Sequence, residues 1–167
     1  MGDKVLIVIG CTLYNSFRYL LTGALLCLYP LSAHASGIVA SQTAELEVRS
    51  FDERGREVIS YEPAKLVSPG EIVKFTINFQ NEQDVSIEDT VLVMPIPNKM
   101  IYMKHSHTAG EREATLSYDG GNTYFPQGEQ PETLSADESV ITHVKWTFLN
   151  PIEPNSEGVV TAFARLK

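Results

Sequence analysis

Outside its first 35 residues the 167-residue chain contains no cysteine, since Cys11 and Cys27 are the only two. That absence excludes a disulfide, a thiolate nucleophile and a cysteine-held metal from everything that follows, so stability there must come from the core alone. Bases are scarce as well. Lys4 and Arg18 are the only bases and Asp3 the only acid in the first 35 residues, leaving 132 residues with 11 of the 13 Lys and Arg and 20 of the 21 Asp and Glu, a net charge of −9. Duplex nucleic acid and anionic membrane surfaces are read by clustered Lys and Arg, and both are disfavoured as partners. Helical periodicity is nearly missing. No Gly-x-Ser-x-Gly elbow or other local nucleophile setting appears, so an enzyme is not expected.

The N-terminal 35 residues differ in kind from the rest. An almost wholly apolar run from Tyr19 to Tyr29 follows Arg18, and Pro30 leads to Ala33-His34-Ala35. A basic residue, a short apolar stretch and small residues at both positions read by a signal peptidase predict a secretory signal peptide over 1–35, cleaved after Ala35. A transmembrane anchor needs roughly 20 unbroken apolar residues, and Arg18 divides this region into two shorter pieces. Cys27 follows Leu26, not a small residue, so lipid attachment is not expected.

Period-two alternation dominates the remainder. In 73–80 every odd position is apolar and every even one polar, which places Val73, Phe75, Ile77 and Phe79 on one buried face of a strand. Val144, Trp146 and Phe148 alternate with His143, Lys145 and Thr147 and predict a second strand, carrying the only tryptophan. Ala44, Leu46 and Val48, and later Val160, Ala162, Ala164 and Leu166, repeat the pattern, with shorter candidates at 91–93, 100–103 and 115–118. Turn signals at Ser68-Pro69-Gly70, 81–84, Pro95-Ile96-Pro97-Asn98, Gly120-Gly121-Asn122 and 150–158 separate them. Many strands closed by Gly, Pro or Asn clusters indicate an all-β, immunoglobulin-like antiparallel sandwich of seven or eight strands. Residues 36–61 supply a loose arm (to about Ser41) and the first strand or strands, and 62–167 complete one sandwich with them. A domain of this size buries about two-thirds of its unfolded surface, enough for a self-sufficient core.

The order Val67-Ser68-Pro69-Gly70-Glu71, then Phe75 to Asn81, then Val91-Leu92-Val93-Met94-Pro95-Ile96-Pro97, then Ile101-Tyr102 resembles the conserved-repeat domain of bacterial surface proteins, known as domain of unknown function eleven. The stretches 117–125, 142–146 and 158–167 fit the same pattern, so the resemblance covers about 62–167. It departs at Glu82-Gln83-Asp84, where the family usually has a glycine, and at Met94, where it tends to place an aspartate. What the resemblance implies is an exported immunoglobulin-like module of envelope or adhesive proteins, without catalysis.

Ser117-Tyr118-Asp119-Gly120-Gly121-Asn122-Thr123-Tyr124 looks like the Asp-box, a structural hairpin found on sialidase propeller blades and elsewhere. The physics favours that role for Ser117, Asp119, Gly121, Thr123 and Tyr124: an Asp before Gly-Gly can accept amides of its own turn, and the glycines supply positive φ. One carboxylate is a poor calcium site, because that ion takes six to eight oxygens. His105-Ser106-His107 is the alternative chemistry. Residues two apart on a strand share a face, so His105 and His107, with His143 from another strand, form a candidate zinc or copper set. Against it, a polar strand end running into the 108–113 loop needs no metal, so no cofactor is expected. Glu88-Asp89 and Asp137-Glu138 are neighbours in sequence, point to opposite faces of a strand and suit solvated turns. Pro151-Ile152-Glu153-Pro154 reads as a proline-punctuated loop. Phe163, beside Arg165, stands opposite the core face of the last strand; at a sheet edge it would offer an interface to a protein partner or a second copy.

These readings converge on an exported, non-enzymatic module, periplasmic or on the cell surface, acting as a structural or adhesive component of the envelope, with no membrane insertion once the leader is gone. A periplasmic metal-binding protein using the His-x-His pair is the alternative.

Overall fold

The computed structural model describes residues 5–8, 37–107, 112–132, 134 and 140–167, with only the backbone described at 5–8, Ser106 and His107. Both cysteines, the apolar run and cleavage position of the leader, the 108–111 loop, Asp137-Glu138 and the His107 side chain lie outside what is described. Ten strands follow in chain order: β1 Val5–Val8, β2 Ile38–Phe51, β3 Glu57–Pro63, β4 Ile72–Asn81, β5 Thr90–Pro95, β6 Met100–His107, β7 Arg112–Ser117, β8 Phe125–Pro126, β9 His143–Phe148 and β10 Glu157–Leu166. Strands β2 to β10 make two antiparallel sheets facing each other, an all-β sandwich with no helix among the described residues. One sheet runs β5-β9-β7-β8, with β1 added in parallel at the β5 edge. The other runs β3-β2-β4-β10-β6.

The alternation in the sequence builds the interior. Val73, Phe75, Ile77 and Phe79 from β4 meet Val144, Trp146 and Phe148 from β9, all buried, with Leu92, Met94, Val160, Ala162 and Ala164 closing the layer. Phe79 and Phe148 contact edge to face at 5.1 Å, a preferred arrangement of ring quadrupoles. Strands placed directly opposite one another keep their alternation in phase: Phe75 lies across from Ala162 on one side and Ala44 on the other. A one-residue slip would turn the whole apolar set outward, so the pattern specifies the register.

Three expectations are corrected. The stretch to Ser41 is not a loose arm: β2 begins at Ile38, which is buried, and pairs with β4 from Asn81 onward. The last strand is not an edge, because β10 lies between β4 and β6. Among the described residues nine antiparallel strands, not seven or eight, form the two sheets, because β3 and the two-residue β8 add to those the alternation marks. Every residue of β3 is exposed, so it buries no apolar face and leaves no inward period to read.

Strand β2 outruns its neighbour. Its pairing with β4 ends at Leu46, whereas its pairing with β3 continues to Phe51. The two strands therefore project as a ribbon past the end of β4. Its tip is a tight turn in which the Asp52 carboxylate accepts the Arg54 and Arg56 amides, both at 2.9 Å, and the Arg56 Nε at 2.7 Å. Gly55 supplies the positive φ of 73° that this turn requires. Phe51, Val58 and Ile59 stand exposed on the ribbon, Phe51 at 74%.

Candidate functional site

The hairpin after β7 is tied by two side chains. Ser117 Oγ accepts the Gly121 amide at 2.9 Å and donates to Asp119 Oδ1 at 2.8 Å. Asp119 Oδ1 also accepts the amides of Asn122 and Thr123, at 3.0 and 2.9 Å, while Oδ2 takes the Thr123 hydroxyl at 2.6 Å. These bonds, those of Thr123 first, hold the Asp119 carboxyl far below the ordinary carboxylate range. Gly120 and Gly121 lie at φ of 80° and 91°, which other residues rarely adopt. A Cβ on Gly121 would also crowd the Tyr124 hydroxyl at 3.2 Å. Tyr124 lies outside the core with Lys145 Nζ 4.0 Å from its ring centre. All five hairpin residues named from sequence thus meet in one turn, with both carboxylate oxygens already taken by the protein.

Beside the hairpin, Thr142 and His143 enter β9. Thr142 Oγ1 accepts the Gly120 amide at 3.1 Å, donates to the Ser117 carbonyl at 3.2 Å and lies 3.1 Å from His143 Nδ1. Burial pushes the His143 imidazole below its ordinary value, with the Asp119 charge acting the other way. A hydroxyl next to an imidazole is the raw material of nucleophilic catalysis, and the Thr142 hydroxyl lies within reach of both the Ser117 carbonyl and His143 Nδ1. Ile96, Pro97, Met100 and Ile141 line an apolar groove that reaches Thr142 and His143.

Two of the candidate metal residues, His105 and His143, are separated. The pairing of β10 with β6 shifts register between Phe163 and Ala164, leaving Met103 without a partner, a β-bulge. The extra residue brings Tyr102 and His105, three apart, to one face of β6, where the Tyr102 hydroxyl bonds His105 Nδ1. Burial, then the nearby Tyr118, pushes the Tyr102 hydroxyl up to about 12. The His105 ring also stands edge-on to Trp146 at 6.3 Å, inside the sandwich. His143, an odd number of positions before Trp146 on β9, points to the outer face of that sheet. One ion cannot meet both imidazoles, and no group of three metal-ligating side chains occurs among the described residues.

Phe163 does face away from the core, but it is covered and only 8% exposed, which corrects the interface expectation. Tyr61 of β3 packs on it at 6.4 Å, and Lys104 of β6 lies over its ring at 4.7 Å. Lys74 caps Tyr61 at 4.5 Å and pairs with Glu45 at 3.2 Å. The neighbouring strands supply a lid that single-strand alternation cannot show. Arg165 remains exposed.

Two structural residues were not singled out by the sequence. Asn81 is fully buried, and its Nδ2 donates to the carbonyls of Val85, Ile152 and Glu153 at 2.9, 2.9 and 3.1 Å while Oδ1 accepts the Gln83 amide at 2.9 Å. It fastens two loops at one end of the sandwich. Its position closing an apolar strand was the available signal. Arg112 stacks its guanidinium on Phe79 and Phe148, at 5.0 and 4.5 Å, and donates to the Val159 carbonyl at 3.2 Å.

Comparison with known proteins gives no matching family model, no matching curated protein and no matching solved structure.

Proposed function

We propose that the chain is an exported, non-enzymatic module of the bacterial cell envelope, structural or adhesive, that acts through protein contacts on its surface. The observation that carries this reading is the projecting β2–β3 ribbon, which holds Phe51, Val58 and Ile59 in solvent beyond the body of the sandwich. Phe51 and Ile59 share one face of the ribbon, with Val58 on the other, and exposed apolar side chains there suit a protein contact. The hairpin supports the same reading from the other side, since Asp119 and Ser117 spend their hydrogen-bonding capacity on their own turn. The leader pattern of residues 1–35 and the likeness to conserved-repeat modules support the exported compartment and the immunoglobulin-like class. The zinc or copper alternative has less support, because His105 and His143 face opposite sides of the β9 sheet.

Fractionation of cells making the tagged chain tests the compartment: the reading expects it in periplasm, outer envelope or medium, and a cytoplasmic pool alone would sink it. A folded variant with Phe51→Ser and Ile59→Ser tests the surface. It should lose whatever adhesion or envelope-integrity phenotype the wild-type chain restores to a deletion strain, and full restoration would overturn the role of the ribbon.

A further inference from the structure

Strand β5 is built like an interior strand although it closes its antiparallel sheet. Leu92 and Met94 lie opposite Trp146 and Val144 and face the core. Val91 and Val93 lie opposite Thr147 and Lys145 on the other face, outside the core cluster, yet they are 8% and 4% exposed. A strand that is apolar on both faces has the composition of one covered on both sides. Solvent edges are normally blunted by charged residues, internal proline or a bulge, and β5 has no charged residue and carries its proline only at the last position. At this unblunted edge Val5–Val8 runs parallel to β5, with Val5 opposite Thr90 and Val8 opposite Val93. That apolar run lies within the segment read as a removable leader.

We propose that the free side of β5 is a strand-acceptor site. In the precursor Val5–Val8 fills it; in the exported chain, with the leader gone, it takes an extended apolar segment rich in β-branched residues from a partner protein, added in the same parallel sense. Main-chain hydrogen bonds supply the affinity of such an addition, and side-chain pockets on alternate positions supply its selectivity. A second mature copy is a poorer occupant. Two β5 edges paired about a two-fold axis normal to the sheet run antiparallel, unlike the Val5–Val8 arrangement. The proposal rests on the exported-module reading.

The test begins with the full chain made in a bacterial export host, the exported form being recovered and its N-terminus defined by intact mass. A fluorescent peptide bearing a Val-Leu-Ile-Val run between lysines is then titrated by anisotropy, beside a control of the same composition with a proline inserted. The expected result is a chain beginning after the leader that binds the first peptide and ignores the second. Val93→Glu, whose carboxylate would sit beside Lys145, should weaken binding on the order of tenfold or more, with thermal melting to verify folding and Val91→Glu as the substitute if it fails. A shortened chain that ignores the peptide overturns this proposal and leaves the exported module standing. An exported chain that keeps residues 5–8 overturns it too, because its own strand closes the site. Dimers that Val93→Glu dissolves, and that refuse the peptide, would assign the edge to a second copy instead. A chain that is never exported removes both readings.

Discussion

The Thr123 hydroxyl donates to Asp119 Oδ2 at 2.6 Å while the Thr123 amide donates to Oδ1 at 2.9 Å. One residue thus grips both oxygens of one carboxylate, and the turn that joins β7 to the rest of its sheet closes around a charge. The arrangement explains why an acidic residue beside two glycines serves the fold: the anion accepts what the turn's own amides must donate somewhere.

Acid should loosen this turn. The Asp119 carboxyl has an ordinary value of 3.8 and is held well below it in the folded chain. A depressed carboxylate contributes stability that is fully present above its unfolded value and lost as the pH falls from there through the folded value. Asp119→Asn should therefore lower the melting temperature at pH 7, and the gap to wild type should shrink below about pH 4. Parallel melts of the two proteins from pH 7 to pH 2 measure it. A gap that stays constant across that range would refute the role of the charge.

Phe163 yields a prediction of opposite sign to the one its sequence position suggests. An exposed interface aromatic can be trimmed at little cost to the monomer, whereas a ring covered by Tyr61 and Lys104 cannot. Phe163→Ala should cost about 1.5–3 kcal/mol, the worth of burying such a side chain, and should leave the oligomeric state unchanged. Urea denaturation with size-exclusion chromatography checks both halves. A variant as stable as wild type that changes its elution would restore the interface.

The contrast between Phe163 and Phe75 shows what the sequence makes legible. Alternation reports which residues share a face, and it places Phe75 and Trp146 inside because the core is made of such faces. It says nothing about which strand comes to lie alongside. The lid over Phe163 consists of residues about 60–100 positions away in the chain, joined only by the sheet order β3-β2-β4-β10-β6. Strand β3 escapes notice for the related reason that it has no buried face. The hairpin at Asp119 is legible because its bonds are local, within six residues, and turn chemistry is written in adjacent side chains. The separation of His105 from His143 depends on the bulge at Met103 and on two different sheets, which no local pattern encodes.

Metal binding should be absent at that pair. His105 is engaged by the Tyr102 hydroxyl and Trp146, and His143 lies on the far face of its sheet. Calorimetric titration of zinc and of copper into the chain should give no saturable heat at micromolar metal. Saturable binding abolished by either His105→Ala or His143→Ala alone would show that the two imidazoles do reach one ion. Binding that survives both substitutions would point to other ligands and leave the separation intact.

Asn81 offers the sharpest test of how the sandwich is closed. Its amide nitrogen meets three carbonyl oxygens, from Val85, Ile152 and Glu153, in a fully buried place. Ile152 O keeps the Ile87 amide and Glu153 O keeps the Ser156 amide and hydroxyl as donors, so the loss is that of the ties between the two loops, at about 0.5–1.5 kcal/mol for a typical hydrogen bond. Asn81→Ala should lower stability by that order while leaving β4 in place, because the strand's own apolar face is untouched. Asn81→Asp should be worse at neutral pH than Asn81→Ala. A carboxylate there would face three carbonyl oxygens and accept where a donor is needed, whereas protonation would restore one donor. The Asp variant should therefore recover part of its loss as the pH falls toward 5, in the direction opposite to Asp119. Chemical denaturation of both variants at pH 7 and pH 5 reads the difference. If the Asp and Ala variants are equally stable at both values, the three carbonyls do not depend on the Asn81 amide.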